Sequence, residues 1–272
     1  MVKVVFIVIG ILCACIVAYF LLIMPRMLNK ADSTPFLQVL YAHRGLHNNS
    51  QAPENSLEAF QLAVEKGFGI ELDVQLTKDL IPVVFHDFTL ERMCGVSGHV
   101  RDYLYTELQG FPLLSTKERI PKLSDVLLLV DGQVPLIVEY KTESLDLRVC
   151  KIADKLLRDY KGDYCIESFN PLVLFWYRRK QKSVMRGQLS DAFLKDTKYR
   201  GVLYFILQNL LLNCLGKPDF VAYNHKYPHA LSRQICRKIF RNTAAAYTLQ
   251  SKKALREAEK DFDIFIFDGF LP

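Results

Sequence analysis

Short apolar runs alternate with helical stripes along most of this 272-residue chain, and the alternation limits the fold more than any other feature. One stripe, residues 56–66, has apolar side chains three or four positions apart and ends at Gly67, as an amphipathic helix does. Eight runs have the length and apolar character of strands: residues 37–42, 68–74, 134–140, 164–168, 184–189, 220–223, 244–249 and 262–267. Strand and helix units repeated in this way predict an α/β fold, a (β/α)8 TIM barrel over residues 37–272.

The chain begins with a different kind of segment. Residues 4–24 contain no charged side chain, and as a helix they would be about 31 Å long, the thickness of a bilayer core. We predict a transmembrane helix within an N-terminal anchor of residues 1–28, a polar linker at 29–36, and a location at the cell membrane. A cleaved signal peptide is the alternative. Positive charges flank the helix almost evenly, so the side of the membrane stays open, with a lean toward the cytoplasmic side.

The composition excludes several classes of protein. With 50% hydrophobic and 24% charged residues, the chain is neither disordered nor polytopic. A net charge of +6 favours anionic partners, either phosphate substrates or membrane lipid. We expect no nucleic-acid partner, because the basic residues are scattered and no nucleic-acid motif accompanies them. The seven cysteines are widely spaced and form no CxxC pair, which argues against a disulfide framework and against zinc.

The second predicted strand carries two carboxylates, Glu71 and Asp73. Side chains alternate between the faces of a strand, so these two point the same way, about 7 Å apart, and the apolar residues between them point the other way. Oxygen ligands suit Mg²⁺ or Ca²⁺ better than zinc. The spacing therefore predicts a site for one divalent cation.

The next apolar run, residues 82–86, follows too closely for a parallel crossover and should fold back as an antiparallel hairpin. A four-residue connection would pair Thr77 with Pro82 and set Asp73 opposite His86. The prediction therefore places a histidine beside the carboxylates.

The order of motifs in this region resembles the glycerophosphodiester phosphodiesterase family. That family has His-Arg-Gly, Pro-Glu-Asn-Ser/Thr, Glu-x-Asp, Thr-x-Asp-Gly and His-Asp in succession. The matching motifs are His43-Arg44-Gly45, Pro53-Glu54-Asn55-Ser56, Glu71-Leu72-Asp73, Thr77-Lys78-Asp79 and His86-Asp87. Later landmarks follow in family order at Ile120-Pro121-Lys122-Leu123, Glu139-Tyr140-Lys141 and Ser168-Phe169. The resemblance extends from Val39 to the C-terminus.

The chain departs from the family pattern in the later motifs and at one turn. Leu80 replaces the expected turn glycine, and Tyr247 and Gln250 stand where the family usually has Trp and Asn. The sequence Phe267-Asp268-Gly269 stands near a usual Thr-Asp-x-Pro.

The residue types and the resemblance together suggest a role for each candidate residue. His43 and His86 would exchange protons near neutral pH, and the basic side chains of Arg44 and Lys141 would stabilise the charged phosphorus centre. The carboxylates of Glu71, Asp73 and Glu139 would hold the divalent cation. Glu54 and Asn55 would support these residues.

The resemblance implies hydrolysis of glycerophosphodiesters to sn-glycerol 3-phosphate and an alcohol. One alternative keeps the chemistry and changes the substrate, to give a lysophospholipase D that acts on membrane lysophospholipids. Another is an inactive, membrane-anchored barrel that binds a phosphate ligand. The leaving alcohol, the physiological metal and the oligomeric state stay open.

Two further segments have alternative interpretations. Residues 202–215 are apolar over most of a helix circumference, which suits either a buried barrel helix or a helix at the bilayer interface. Four basic residues form a run that is either a solvated helix face or a contact for lipid headgroups: Arg178, Arg179, Lys180 and Lys182.

Overall fold

The computed structural model describes residues 2–142 and 144–272. Nine strands lie in this part of the chain: β1 (Leu40–His43), β2 (Gly69–Leu76), β3 (Pro82–Val84), β4 (Leu136–Tyr140), β5 (Tyr164–Ser168), β6 (Arg186–Ser190), β7 (Phe220–Asn224), β8 (Thr243–Leu249) and β9 (Ile264–Phe267). Eleven α-helices accompany them in the same ranges: α1 (Val2–Ile23), α2 (Leu57–Glu65), α3 (Glu91–Cys94), α4 (Tyr105–Leu108), α5 (Leu123–Val130), α6 (Arg148–Asp159), α7 (Pro171–Lys180), α8 (Val202–Gln208), α9 (Asn213–Gly216), α10 (Leu231–Lys238) and α11 (Lys252–Ala258).

All the strands except β3 pair in parallel, and the pairing of β1 with both β2 and β9 closes them into a ring. The closed eight-stranded barrel confirms the predicted (β/α)8 fold. On β2, Ile70, Leu72 and Val74 face outward into the core beneath the helices. Because side chains alternate along a strand, Glu71 and Asp73 face inward.

Strand β3 turns back antiparallel against β2, as predicted, but the predicted register is wrong by one residue. Leu76, not Thr77, pairs with Pro82, so Asp73 lies opposite Phe85. The cause is local, because Thr77 belongs to the turn: its hydroxyl oxygen accepts a hydrogen bond from the Ile81 N–H at 2.9 Å. His86 consequently follows the residue opposite Asp73.

A separate small core lies beneath the segment between β3 and α5. Val83 and Phe85 pack there with Met93, Leu108 and Ile120, all of which are buried. This insertion lies beside the carboxyl end of β2, where it supports the hairpin that carries His86.

Helix α1 has the length and mean hydropathy, 3.0, of a membrane span, and helices of this kind serve as anchors or as signal sequences. It touches the barrel only near its last turn. The carbonyl oxygen of Ile23 accepts a hydrogen bond from the Asn213 side chain at 3.0 Å, and Ile23 is fully buried. Beyond α1, the predicted polar linker contributes Phe36 to the apolar floor of the barrel, where it packs near Tyr41 and Phe220.

Residues 202–215 do not form one helix. Helix α8 ends before Leu210, whose backbone is left-handed with a φ of 58°, and the short helix α9 follows. Val202 and Phe205 are exposed, whereas Leu210 is buried. The segment therefore divides into an exposed beginning and a more buried second half that ends at the exposed Leu215, so each interpretation fits one part of it.

Candidate active site

Three carboxylates meet inside the barrel toward the carboxyl ends of β2 and β4. Strand pairing places Asp73 directly beside Glu139, and Glu71 lies two residues before Asp73 on the same face. One ligand oxygen from each residue lies within 4.8 Å of the others. All three side chains are buried, so the cluster is sheltered from water rather than presented at the rim.

The electrostatics of this cluster reflect three carboxylates buried close together inside the barrel. Burial raises the pKa of Glu71 well above its usual value, and the neighbouring carboxylates of Asp73 and Glu139 raise it further. Burial also raises the pKa of Glu139, although Lys141 opposes this shift. Within the described ranges, Asp73 Oδ1 has no hydrogen-bond partner. Three buried oxygen donors, one of them unsatisfied, fit a hard divalent cation such as Mg²⁺ or Ca²⁺.

Two cationic side chains border the carboxylates. Lys141 Nζ lies 3.1 Å from Glu139 Oε1 and 3.8 Å from Asp73 Oδ1. Arg44 Nε lies 3.7 Å from Asp73 Oδ2, and the Arg44 backbone N–H donates to Glu71 Oε2 at 3.1 Å. Burial acts to raise the pKa of Asp73, but the nearby side chains of His86, Lys141 and Arg44 hold it below its usual value. Of the three carboxylates, Asp73 is therefore the one whose pKa is lowered.

Glu54 and Asn55 contact this group from the loop before α2. Asn55 Nδ2 donates to Asp73 Oδ2 at 2.8 Å, and Arg44 Nη1 donates to Glu54 Oε1 at 2.8 Å. The same glutamate accepts two hydrogen bonds from Arg92, at 2.6 and 2.9 Å. Because each contact fixes a charged or ligand atom, these side chains orient the site.

Each of the two candidate histidines has a carboxylate beside its Nδ1 atom. His43 Nδ1 lies 3.2 Å from Asp268 Oδ2, and His86 Nδ1 lies 2.7 Å from Asp87 Oδ1. The other ring nitrogen of His43 lies 3.9 Å from Glu71 Oε2, which places the imidazole against the carboxylate cluster. Burial lowers the pKa of His43, while the hydrogen bond with Asp268 opposes that shift.

The structure thus brings all nine predicted residues together, and it adds three more that the sequence reasoning missed. Asp268 follows β9 and contacts His43, Arg92 links Glu54 to Asp87, and Glu167 pairs with Glu139 across β4 and β5. Burial raises the pKa of Glu167 well above its usual value. Asp268 and Glu167 each lie at the carboxyl end of a predicted strand, and that position could have identified them.

One of the remaining histidines also proves to belong to this neighbourhood. His47 lies in the loop after β1, and its Nε2 atom lies 3.1 Å from Asp268 Oδ1. Burial acts to raise the pKa of Asp268, but His43 and His47 hold it below its usual value. His47 is therefore connected to the site through a shared carboxylate.

A cavity of about 370 Å³ opens beside Lys141. Its walls include Thr77 and Phe88 and the basic residues Arg101 and Arg148. The walls also include Asp102 and Asp146, so the cavity carries charges of both signs, and Lys141 is the predicted site residue that lines it. The arrangement can hold a divalent cation, offset the charge of a phosphate group and exchange protons at two imidazoles.

The fold and the site together define a class: a (β/α)8 barrel with an acidic, histidine-flanked site at the carboxyl ends of its strands. The comparisons with known proteins make this specific. The model of the glycerophosphoryl diester phosphodiesterase family matches residues 43–257, and the chain belongs to that family.

Curated relatives match part of the chain. A glycerophosphodiester phosphodiesterase of Caldanaerobacter subterraneus subsp. tengcongensis is 35% identical over 144 residues, covering 48% of this chain and 58% of the relative. One from Bacillus altitudinis is 37% identical over 124 residues, covering 43% and 50%. A lysophospholipase D of Rattus norvegicus is 30% identical over 162 residues, covering 55% and 50%. The chain therefore spans less than two thirds of the length of each of these relatives.

Solved structures match more of the fold. The glycerophosphodiester phosphodiesterase of Thermotoga maritima superimposes with a TM-score of 0.63 at 25% identity, covering 84% of this chain and 93% of that one. A phosphodiesterase of Oleispira antarctica, solved in complex with its product sn-glycerol-3-phosphate, gives a TM-score of 0.69 at 23% identity, covering 87% and 94%. The likeness to the second structure shows the fold alone.

Proposed function

We propose that this protein hydrolyses glycerophosphodiesters to sn-glycerol 3-phosphate and an alcohol with the aid of one divalent cation. The observation that carries the proposal is the convergence of three buried carboxylates, within 4.8 Å, with two histidine and carboxylate pairs. Membership of the family supports the same substrate class.

Glu71, Asp73 and Glu139 would hold the cation. Such an ion supplies positive charge that offsets the phosphate oxygens, which is what a cluster of buried carboxylates cannot do alone. Arg44 and Lys141 lie at the edge of the cluster and would add donors to the phosphate, Arg44 as a planar fork and Lys141 as a point charge. Glu54 and Asn55 would hold Arg44 and Asp73 in place.

His43 and His86 would transfer the protons. With Nδ1–H directed at a carboxylate, each ring keeps Nε2 free to accept or donate. One imidazole removes a proton from the attacking water as its oxygen bonds to phosphorus. The other protonates the alcohol oxygen as its bond to phosphorus breaks, so one water is consumed and the products are anionic sn-glycerol 3-phosphate and the alcohol.

Residues 1–28 would anchor the enzyme in the cell membrane as a single pass, 29–36 would join the anchor to the barrel, and 37–272 would form the catalytic domain. The proposal rests on the apolar helix α1. The charges that flank the helix are nearly balanced, and the proposed side for the barrel is the cytoplasmic one.

The test uses the full chain in nonionic detergent with glycerophosphocholine, glycerophosphoethanolamine and lysophosphatidylcholine as substrates. We expect sn-glycerol 3-phosphate from the first two, a loss of about 100-fold or more in chelator, and recovery with Mg²⁺ or Ca²⁺. Glu71→Gln should match the loss in chelator, because a neutral amide binds a hard cation poorly. Absence of hydrolysis with every cation and substrate would leave an inactive phosphate-binding barrel.

The lysophospholipase D relative favours a second candidate activity. In that case lysophosphatidylcholine would yield choline and lysophosphatidic acid faster than glycerophosphocholine yields sn-glycerol 3-phosphate. A comparison of kcat/KM for the two substrates decides between the activities.

A further inference from the structure

A second pocket lies at the opposite end of the barrel from the carboxylates. It has a volume of about 540 Å³, and one wall is the chain that leaves helix α1, from Met24 to Asn29. Arg186, which opens β6, lies in the facing wall. Because strands of a barrel all begin at one end and finish at the other, this pocket and the carboxylate cluster open on opposite faces.

Five basic side chains line this pocket: Arg26, Arg178, Lys182, Arg186 and Lys217. Among the residues that the structure describes, no acidic side chain lines it. The carboxylate of Asp219 lies behind the basic side chains. It contacts Arg26 at 3.3 Å and Arg186 at 3.7 Å, so one negative charge is shared between two of the five cations. The pocket keeps a strong positive excess.

Arg186 is the feature that points to a ligand. Its side chain is only 3% exposed, and its Nη1 atom makes no hydrogen bond among the described residues, since Asp219 Oδ2 lies 3.7 Å away, beyond hydrogen-bond reach. Its Nε donates to the Gly216 carbonyl at 2.9 Å, which fixes the direction of the guanidinium. A buried donor without an acceptor is costly, and an anionic oxygen in the pocket would satisfy it.

The surroundings of the pocket lower the pKa of two of its basic side chains. Burial lowers the pKa of Arg186 to about 10, with help from the charges of Arg26 and Arg178 and against the opposing effect of Asp219. Burial also lowers the pKa of Lys217, again with help from Arg178. A bound anion would relieve both effects.

The position of the pocket identifies the source of that anion. Helix α1 is 22 residues long, about 33 Å, which matches the hydrocarbon core of a bilayer. Residues that follow such a helix lie at the level of the lipid headgroups. The Lys217 ammonium donates to the carbonyl oxygen of Met24 at 2.9 Å, so the basic wall is attached to the end of the helix. The exposed Met27 and Leu28 suit the acyl side of that boundary.

We propose that this juxtamembrane basic pocket binds the phosphate headgroup of an anionic phospholipid. The proposal rests on the membrane anchor described under the proposed function and is independent of the hydrolytic reaction. The four basic residues singled out in the sequence then have different roles, because Arg178 and Lys182 line the pocket whereas Arg179 and Lys180 do not. The bound lipid would fix the barrel against the membrane surface.

The test uses the full chain in nanodiscs of phosphatidylcholine, with and without phosphatidylglycerol, and follows the Tm of the barrel. The pocket variant is Lys182→Gln with Lys217→Gln, which removes two charges but keeps the stems and a donor toward Met24. The matched control is Lys180→Gln with Lys238→Gln, two exposed lysines outside the pocket. Lys182→Gln alone, at an exposed position, serves if the double variant does not fold.

We expect phosphatidylglycerol to raise the Tm of the wild type and of the control by roughly 3–6 °C. The pocket variant should gain less than half of that shift, while its turnover of glycerophosphocholine stays unchanged. Equal shifts in the pocket variant and the control would mean diffuse surface attraction and overturn the proposal, as would no shift in the wild type. Inorganic phosphate that reproduces the shift without phosphatidylglycerol would also overturn it, because the ligand would then be soluble.

Discussion

The two histidines of the site are held in the same way, each by a carboxylate at Nδ1. A carboxylate in this position accepts the ring hydrogen and fixes both the tautomer and the orientation of the imidazole. His43 reaches the cluster from β1 and His86 from the end of the hairpin arm. Two oriented imidazoles from different elements fit a pair that works within one reaction.

At this scale we predict that His43→Ala and His86→Ala each lower kcat for glycerophosphocholine by about 10²- to 10⁴-fold. The double variant should lose far less than the product of the two factors, since the residues act on the same transition state. Steady-state kinetics on folded variants, checked by near-UV circular dichroism, measures both effects.

His229→Ala is the control, because this histidine is exposed. His47 is unsuitable for that purpose, given its contact with Asp268. A single variant at position 43 or 86 that keeps near wild-type kcat would show that its imidazole transfers no proton in the limiting step.

The individual site residues were predictable where the geometry that relates them is local. The period of a strand placed Glu71 and Asp73 on one face without any knowledge of the fold. Asp268 and His43 are 225 positions apart, and Arg92 and Glu54 are 38 apart, so only the folded chain brings them together. No pattern in the sequence distinguishes Arg92 from other surface arginines.

At the scale of elements, regular periods were predictable and turns were not. The bounds of β5 agree with the predicted range, and α2 lies within the predicted stripe of residues 56–66, since apolar spacing alone defines both elements. The hairpin register depends on the hydrogen bond from the Ile81 N–H to the Thr77 side chain, which draws Thr77 into the turn. The number of residues between the strands does not reveal this bond. The helix break at the left-handed Leu210 likewise leaves no mark in the pattern of apolar residues.

The turn of the hairpin supports a stability prediction. Leu80 has a φ of 63°, a left-handed conformation that costs a residue with a Cβ atom about 1–2 kcal/mol and that glycine adopts freely. Leu80→Gly should therefore raise the free energy of unfolding by about 0.5–1 kcal/mol. Urea denaturation at equilibrium measures the change.

Leu80→Ala separates the backbone from the side chain, because alanine keeps the unfavourable φ and loses the same contacts. It should be no more stable than the wild type. If the glycine variant is destabilised as much as the alanine variant, side-chain packing rather than backbone conformation controls this turn.

At the scale of the whole molecule, the closed barrel was predictable because parallel strands with short helical returns have few other ways to bury both faces. The position of the N-terminal segment was not. Ile23 contacts Asn213 across 190 positions of sequence, and Phe36 fills the barrel floor although its neighbours read as a polar linker. Packing of this kind depends on shape, which composition does not record.

The central claim is that Glu71, Asp73 and Glu139 hold one divalent cation, and thermal unfolding of the full chain tests it without any substrate. At about 100 times its Kd, a cation that binds only the folded state adds about 2.7 kcal/mol, which raises Tm by about 5–10 °C in a protein of this size. We predict that rise for the wild type when Mg²⁺ or Ca²⁺ replaces chelator, and the loss of most of it in Glu71→Gln. A wild type that melts at the same temperature with cation and with chelator, or a Glu71→Gln variant that gains as much as the wild type, would contradict the account.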